Sequence, residues 1–87
     1  MLQKALRPLL PLNQSKEGAE LRKTLAVFLL DAQGHVARTG ELLYLHKNTI
    51  KYRMGRICRL LEHEVQKEPE RSCLYRAVAI CRLMDGN

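Results

Sequence analysis

The side chains best suited to meeting a partner fall in one short stretch: Lys47, Asn48, Thr49, Lys51, Tyr52, Arg53, Arg56 and Arg59. Between Leu42 and Leu61 there are five basic residues and no acid. A solvated face usually mixes its signs, so a one-signed run points to a polyanion. Asparagine can bond adenine through both ends of its amide, and threonine can meet a thymine methyl or a phosphate. Most of the long cations are expected on phosphates. Arg53 or Arg56 could instead pair with a guanine, and the sequence leaves that choice open.

Other chemistries find less support. Glu17, Glu20, Glu62, Glu64, Glu68 and Glu70 supply carboxylates, but in expected helix ends and loops. No acid–base pair, glycine-rich phosphate loop or nucleophile arrangement stands out, so the chain is not expected to be an enzyme. Cys58, Cys73 and Cys81 form no Cys-x-x-Cys pair. Neither they nor His46 and His63 repeat a ligand spacing, so no metal or other cofactor is expected. The cysteines read as reduced thiols packed in a core, which places the protein in the cytoplasm. The longest apolar run, Leu25 to Leu30, is far short of a membrane span, and no secretory signal follows Lys4 and Arg7.

The chain has 87 residues, enough for one small domain. A core this size leaves little room for a deep cleft. Hydrophobic residues at 46% and charged residues at 28% are ordinary for a folded soluble domain. The net charge of +6 favours nucleic acid as partner, with an anionic membrane surface second. A membrane-surface helix would need its large apolar residues free, whereas Ile50, Met54 and Ile57 are needed for the core.

Every strong period is helical and no segment alternates like a strand, so the fold is expected to be all-α, a small bundle of about five helices. Leu2, Leu6, Leu9 and Leu10 suggest a short helix, interrupted at Pro8. Ser15 is a plausible N-cap for a helix running to about Asp31. That helix would bury Leu21, Leu25, Phe28 and Leu29, and Gly34 would end it in a left-handed conformation. A short helix is expected over Val36–Tyr44, followed by a turn at Leu45-His46. A longer helix over Lys47–Leu61 has the core stripe Ile50, Met54, Ile57 and Leu61. The polar segment Glu62–Glu68 breaks the pattern. Pro69 would open a last helix with Leu74, Ala77, Val78, Cys81 and Met84 on its apolar face.

The pair Val36–Tyr44 and Lys47–Leu61, joined by a tight turn, has the outline of a helix-turn-helix. Gly40 falls where the first helix must nearly touch the second. Leu43, Leu45, Ile50 and Met54 would form the wedge between them. At about 100° per residue, Asn48, Lys51, Tyr52, Arg56 and Arg59 lie opposite the core stripe, with Thr49 and Arg53 on the flank. Gly55 also lies outward. It reads better as a tolerated residue than as one required for close approach of DNA.

The runs Leu25-Ala-Val-Phe-Leu-Leu, Gly34-His-Val-Ala-Arg-Thr-Gly and Leu45-His-Lys-Asn-Thr-Ile-Lys-Tyr-Arg-Met-Gly-Arg-Ile resemble the C-terminal DNA-binding domain of PucR-type transcriptional regulators. That group includes purine-catabolism and sugar-diacid regulators. The most specific part is His46-x-Asn48-Thr49-x-x-Tyr52-Arg53-x-x-x-Ile57. The helix pair also resembles the Fis-type helix-turn-helix, with His46 where that family caps its recognition helix. Gly40 stands where an alanine is usual, and Asn13 where an acid is frequent. The resemblance implies a bacterial transcription factor binding double-stranded DNA, with the helix from Lys47 in the major groove. It also implies that this single domain is the C-terminal part of a longer regulator whose effector-sensing region lies elsewhere. A homodimer is compatible with it. The alternative is a helical interaction or dimerisation domain without direct DNA readout, using its N-terminal segment or last helix.

Overall fold

The computed structural model describes residues 6–14, 16–62 and 64–84. Among them are five α-helices and no strand, as the helical periodicity leads one to expect. A 3-10 turn over Arg7–Leu9 runs into α1 (Leu10–Asn13). Helix α2 (Gly18–Ala26) continues into a π-helical turn over Val27–Asp31. Then come α3 (Val36–Leu43), α4 (Lys47–Leu61) and α5 (Glu70–Met84).

The α2 segment with its π turn is the spine. It packs against α1, α3, α4 and α5, while α4 also packs on α3 and α1. Its burial follows from the expected stripe: Leu21, Leu25, Phe28 and Leu29 are each at most 1% exposed. Ile50, Met54, Ile57 and Leu61 of α4 meet them in the same core cluster. Burying one such aliphatic side chain stabilises a fold by about 1.5–3 kcal/mol, so these two stripes hold α4 on the spine.

The polypeptide departs from the expected elements in several places. Leu2 and the start of the first helix lie outside the described residues, as does Ser15. Helix α2 begins at Gly18, and Glu17 before it makes no side-chain cap bond. Gly18 permits a close approach there: a Cβ at this position would stand 1.7 Å from the Leu12 carbonyl oxygen. Leu10 is exposed, and Leu12 takes its place in the core beside Leu9. The spine ends at two successive left-handed residues, Gln33 and the expected Gly34. Helix α3 stops one residue early, at Leu43. Val65, inside the polar segment, is buried.

On α5, Leu74, Ala77 and Val78 are buried, but Met84, expected on the same face, is 61% exposed: Cys81 is the last residue of α5 packed against the described core. Cys73 is exposed, so it is not a core cysteine; Cys58 and Cys81 are half-buried, and none of the three is in a disulfide. Ahead of Pro69, the Glu68 carboxylate accepts from the Ser72 backbone N–H at 2.9 Å and from the Ser72 hydroxyl at 2.8 Å. These bonds hold the Glu68 carboxyl below the usual carboxylate range and cap the first turn of α5. At the far end of the same helix, Arg82 binds both oxygens of Asp31, at 3.0 and 2.8 Å, tying α5 to the π turn.

Candidate nucleic-acid interface

The turn between α3 and α4 is built by backbone chemistry. Leu45 N–H donates to the Gly40 carbonyl at 2.9 Å and Tyr44 N–H to the Glu41 carbonyl at 3.3 Å. These two bonds form the six-to-one and five-to-two pair of a Schellman motif, which requires a left-handed residue at Tyr44. Tyr44 has φ 58° and ψ 41° accordingly. The chain then folds back so closely that a Cβ on Gly40 would lie 2.6 Å from the Leu45 carbonyl oxygen. The small residue is thus needed at the turn itself, with Ile50 Cγ1 as a second neighbour at 3.7 Å. Leu43 and Leu45 are partly buried against the core cluster that contains Ile50 and Met54.

His46 caps α4. Its Nδ1 accepts from the Asn48 backbone N–H at 3.0 Å, which satisfies one of the unpaired donors of the helix start. The histidine therefore does the work that serine, threonine or aspartate does in most helices.

Helix α4 presents the expected residues in two groups. Lys47, Asn48, Lys51, Tyr52 and Arg59 are exposed, and Thr49 is half-buried. Among the described residues, no ion pair or side-chain hydrogen bond engages Lys47, Lys51 or Arg59. Gly55 lies on the same exposed ridge, where an added Cβ would meet nothing within 4 Å.

Arg53 and Arg56 differ. Arg53 Nη1 donates to the Thr24 hydroxyl at 3.0 Å and lies 3.6 Å from Glu20 Oε2. Arg56 Nε donates to Glu17 Oε1 at 2.5 Å, and this bond raises the guanidinium pKa further above its ordinary value. Arg56 was expected on the outward face with Arg59; it is half-buried at the edge, against α2. A helical projection measures angle from the core stripe and takes no account of a neighbouring helix within reach of a long side chain.

Glu17, Glu20 and Thr24 belong to this region although the period of α4 does not point to them; what marks them is their own spacing of three and four, as a stripe beside Leu21 that matches the three-residue spacing of Arg53 and Arg56. Tyr44, 93% exposed at the turn, is a further residue that spacing alone does not single out. Asn13, where an acid is frequent, accepts from Arg22 at 2.6 Å. No group of three or more metal-ligating side chains comes together among the described residues, nor is any described helix long and apolar enough to cross a membrane.

A short helix and a longer one joined by a tight turn, the second capped and resting on α1 and α2, define a helix-turn-helix domain. The chain belongs to the PucR C-terminal helix-turn-helix domain family, whose family model matches residues 21–80. That span contains the whole spine stripe, the turn, α4 and most of α5. No match was found among curated proteins or solved structures.

Proposed function

We propose that this domain binds double-stranded DNA sequence-specifically, as the output domain of a bacterial transcriptional regulator, with α4 in the major groove. The observation that carries the reading is the exposed, one-signed face of α4, opposite a fully buried stripe and held by the Gly40 turn and the His46 cap. Family membership supports it. The N-terminal part of such a helix enters the groove, so Asn48, Thr49 and Tyr52 meet base edges. Lys47, Lys51 and Arg59 meet phosphates, and Arg53 and Arg56 act from the edge of the face, where α2 holds them. No enzymatic step is assigned to the domain. In a longer chain, an effector-sensing region would govern when this face is presented.

A second reading, self-association, is favoured by one observation: Tyr75, Leu83 and Met84 of α5 are exposed. Selection of bound duplexes from a random pool tests both. Phosphate contacts make affinity fall steeply with salt, and paired half-sites in the selected sequences would show two copies docking side by side. Failure to enrich any sequence would remove the reading of specificity.

A further inference from the structure

Two arginines of the recognition helix are held by the scaffold beneath it, and the geometry of that seam has a consequence for DNA recognition. Thr24 is fully buried. Its hydroxyl has one proton, which it donates to the Glu20 carbonyl oxygen at 2.9 Å. What remains is acceptor capacity, and Arg53 Nη1 fills it at 3.0 Å. The same guanidinium nitrogen stands 3.6 Å from Glu20 Oε2, and the Arg53 side chain is only 23% exposed. One turn further on, Arg56 bonds Glu17. Arg53 and Arg56 are three residues apart on α4; Glu17, just before α2, and Glu20 and Thr24 on it are three and four apart. The two stripes therefore match in register, and turning α4 about its axis or sliding it along α2 breaks both attachments together.

We propose that α2 sets the orientation of α4 on DNA through this seam, with Arg53 as a positioning residue held by Thr24 and Glu20. This rests on the DNA-binding reading above. Base readout needs side chains placed closely against a groove, so a small rotation of α4 costs contacts at Asn48 and Tyr52 without removing any charge. Glu20 and Thr24 then support sequence recognition without touching DNA. The competing arrangement has Arg53 leave Glu20 for a phosphate when DNA arrives, with Glu20 merely opposing the polyanion.

The two arrangements predict opposite signs. If Glu20 only opposes DNA, Glu20→Gln tightens binding to every duplex. If Glu20 positions Arg53, Glu20→Gln weakens the preferred site. The experiment uses the full chain, a selected duplex and a scrambled duplex, each at several salt concentrations. The variants are Glu20→Gln, Thr24→Val, Arg53→Ala, Arg53→Lys and the double variant Arg53→Ala/Glu20→Gln, with melting temperatures in parallel and binding measured well below them. We expect Arg53→Ala and Glu20→Gln each to weaken the selected duplex by about tenfold. The double variant should be no worse than Arg53→Ala, Arg53→Lys should recover part of the loss, and Thr24→Val, which changes no charge and lies away from the exposed face, should weaken the selected duplex while scrambled-duplex affinity and salt slope match the wild type.

A salt slope reduced by about one contact in Arg53→Ala, with tighter binding by Glu20→Gln, would make Arg53 a phosphate ligand and overturn the proposal. Lower melting temperatures with unchanged preference for the selected duplex would reduce the seam to fold stability, and would overturn it as well. If the wild-type chain binds no duplex, the DNA-binding reading itself fails, an outcome visible in the control before any variant is compared.

Discussion

Replacing Gly40 tests the turn on which the whole interface depends. A Cβ there would stand 2.6 Å from the Leu45 carbonyl oxygen, and an ordinary carbon–oxygen contact is about 3.3 Å, so the turn must open by about 0.7 Å. It is poorly placed to do so, because Leu45 N–H is bonded to the Gly40 carbonyl and Leu45 packs against the core. Overpacking of this kind costs about 1–3 kcal/mol. An alanine regains about 1 kcal/mol of helix propensity relative to glycine, so Gly40→Ala should come out between neutral and about 2 kcal/mol less stable. In Gly40→Leu the further carbons must also pass Ile50 Cγ1, at 3.7 Å from that Cβ, and Lys47 N, at 3.6 Å. A net loss of about 1–3 kcal/mol is expected for Gly40→Leu, which in a domain of this size lowers the melting temperature by about 4–8 °C per kcal/mol. Thermal unfolding followed by circular dichroism measures it. A melting temperature for Gly40→Leu equal to the wild type would refute the close approach.

Three other consequences follow from the same geometry. Tyr44 holds a left-handed conformation that glycine adopts freely, and its ring is almost fully exposed, so Tyr44→Gly should stabilise the domain by about 0.5–1 kcal/mol in chemical denaturation. A loss of stability would show that the ring has a packing role. Removing the cap with His46→Ala should cost about 1 kcal/mol, and His46→Asn, which also caps, should recover most of it; equal losses in both would deny the cap its role. The Arg82 hydrogen bonds hold the Asp31 carboxyl below its ordinary value. The contribution of this pair is therefore fully present above the usual carboxylate range near pH 4 and is lost as pH falls through the lowered folded value. Melting curves at descending pH should fall less steeply for Asp31→Asn than for the wild type, and parallel curves would count against the pairing.

Much of the fold could be read from period alone. The bounds Lys47–Leu61 match the structure, because four core residues at helical spacing are bracketed by a turn and by a polar segment. The buried stripe of α2, the small residue at Gly40 and the left-handed Gly34 were legible for the same reason: each is dictated by local geometry. What period does not encode is which helix stands beside which. Arg56 lies away from the core stripe in projection, yet Glu17, just before α2, is near enough to draw it to the edge. Met84 has the spacing of a core residue, but among the described residues the core contacts of α5 end at Cys81. Val65 is a lone apolar residue in a polar segment, where no period could mark it. The left-handed state of Tyr44 comes from the two backbone bonds of the turn, in which the side chain takes no part.

The central claim is that α4 reads DNA, with base contacts near its start and phosphate contacts along its length. Binding of Asn48→Ala and Arg59→Ala to a selected duplex and a scrambled duplex, across salt concentrations, tests it most directly. Asn48→Ala should weaken the selected duplex by about 1–3 kcal/mol and leave the scrambled one nearly unchanged. Arg59→Ala should weaken both alike and reduce the salt slope by about one contact. No loss in either variant, with folding intact, would contradict the claim and move the DNA-binding face off α4.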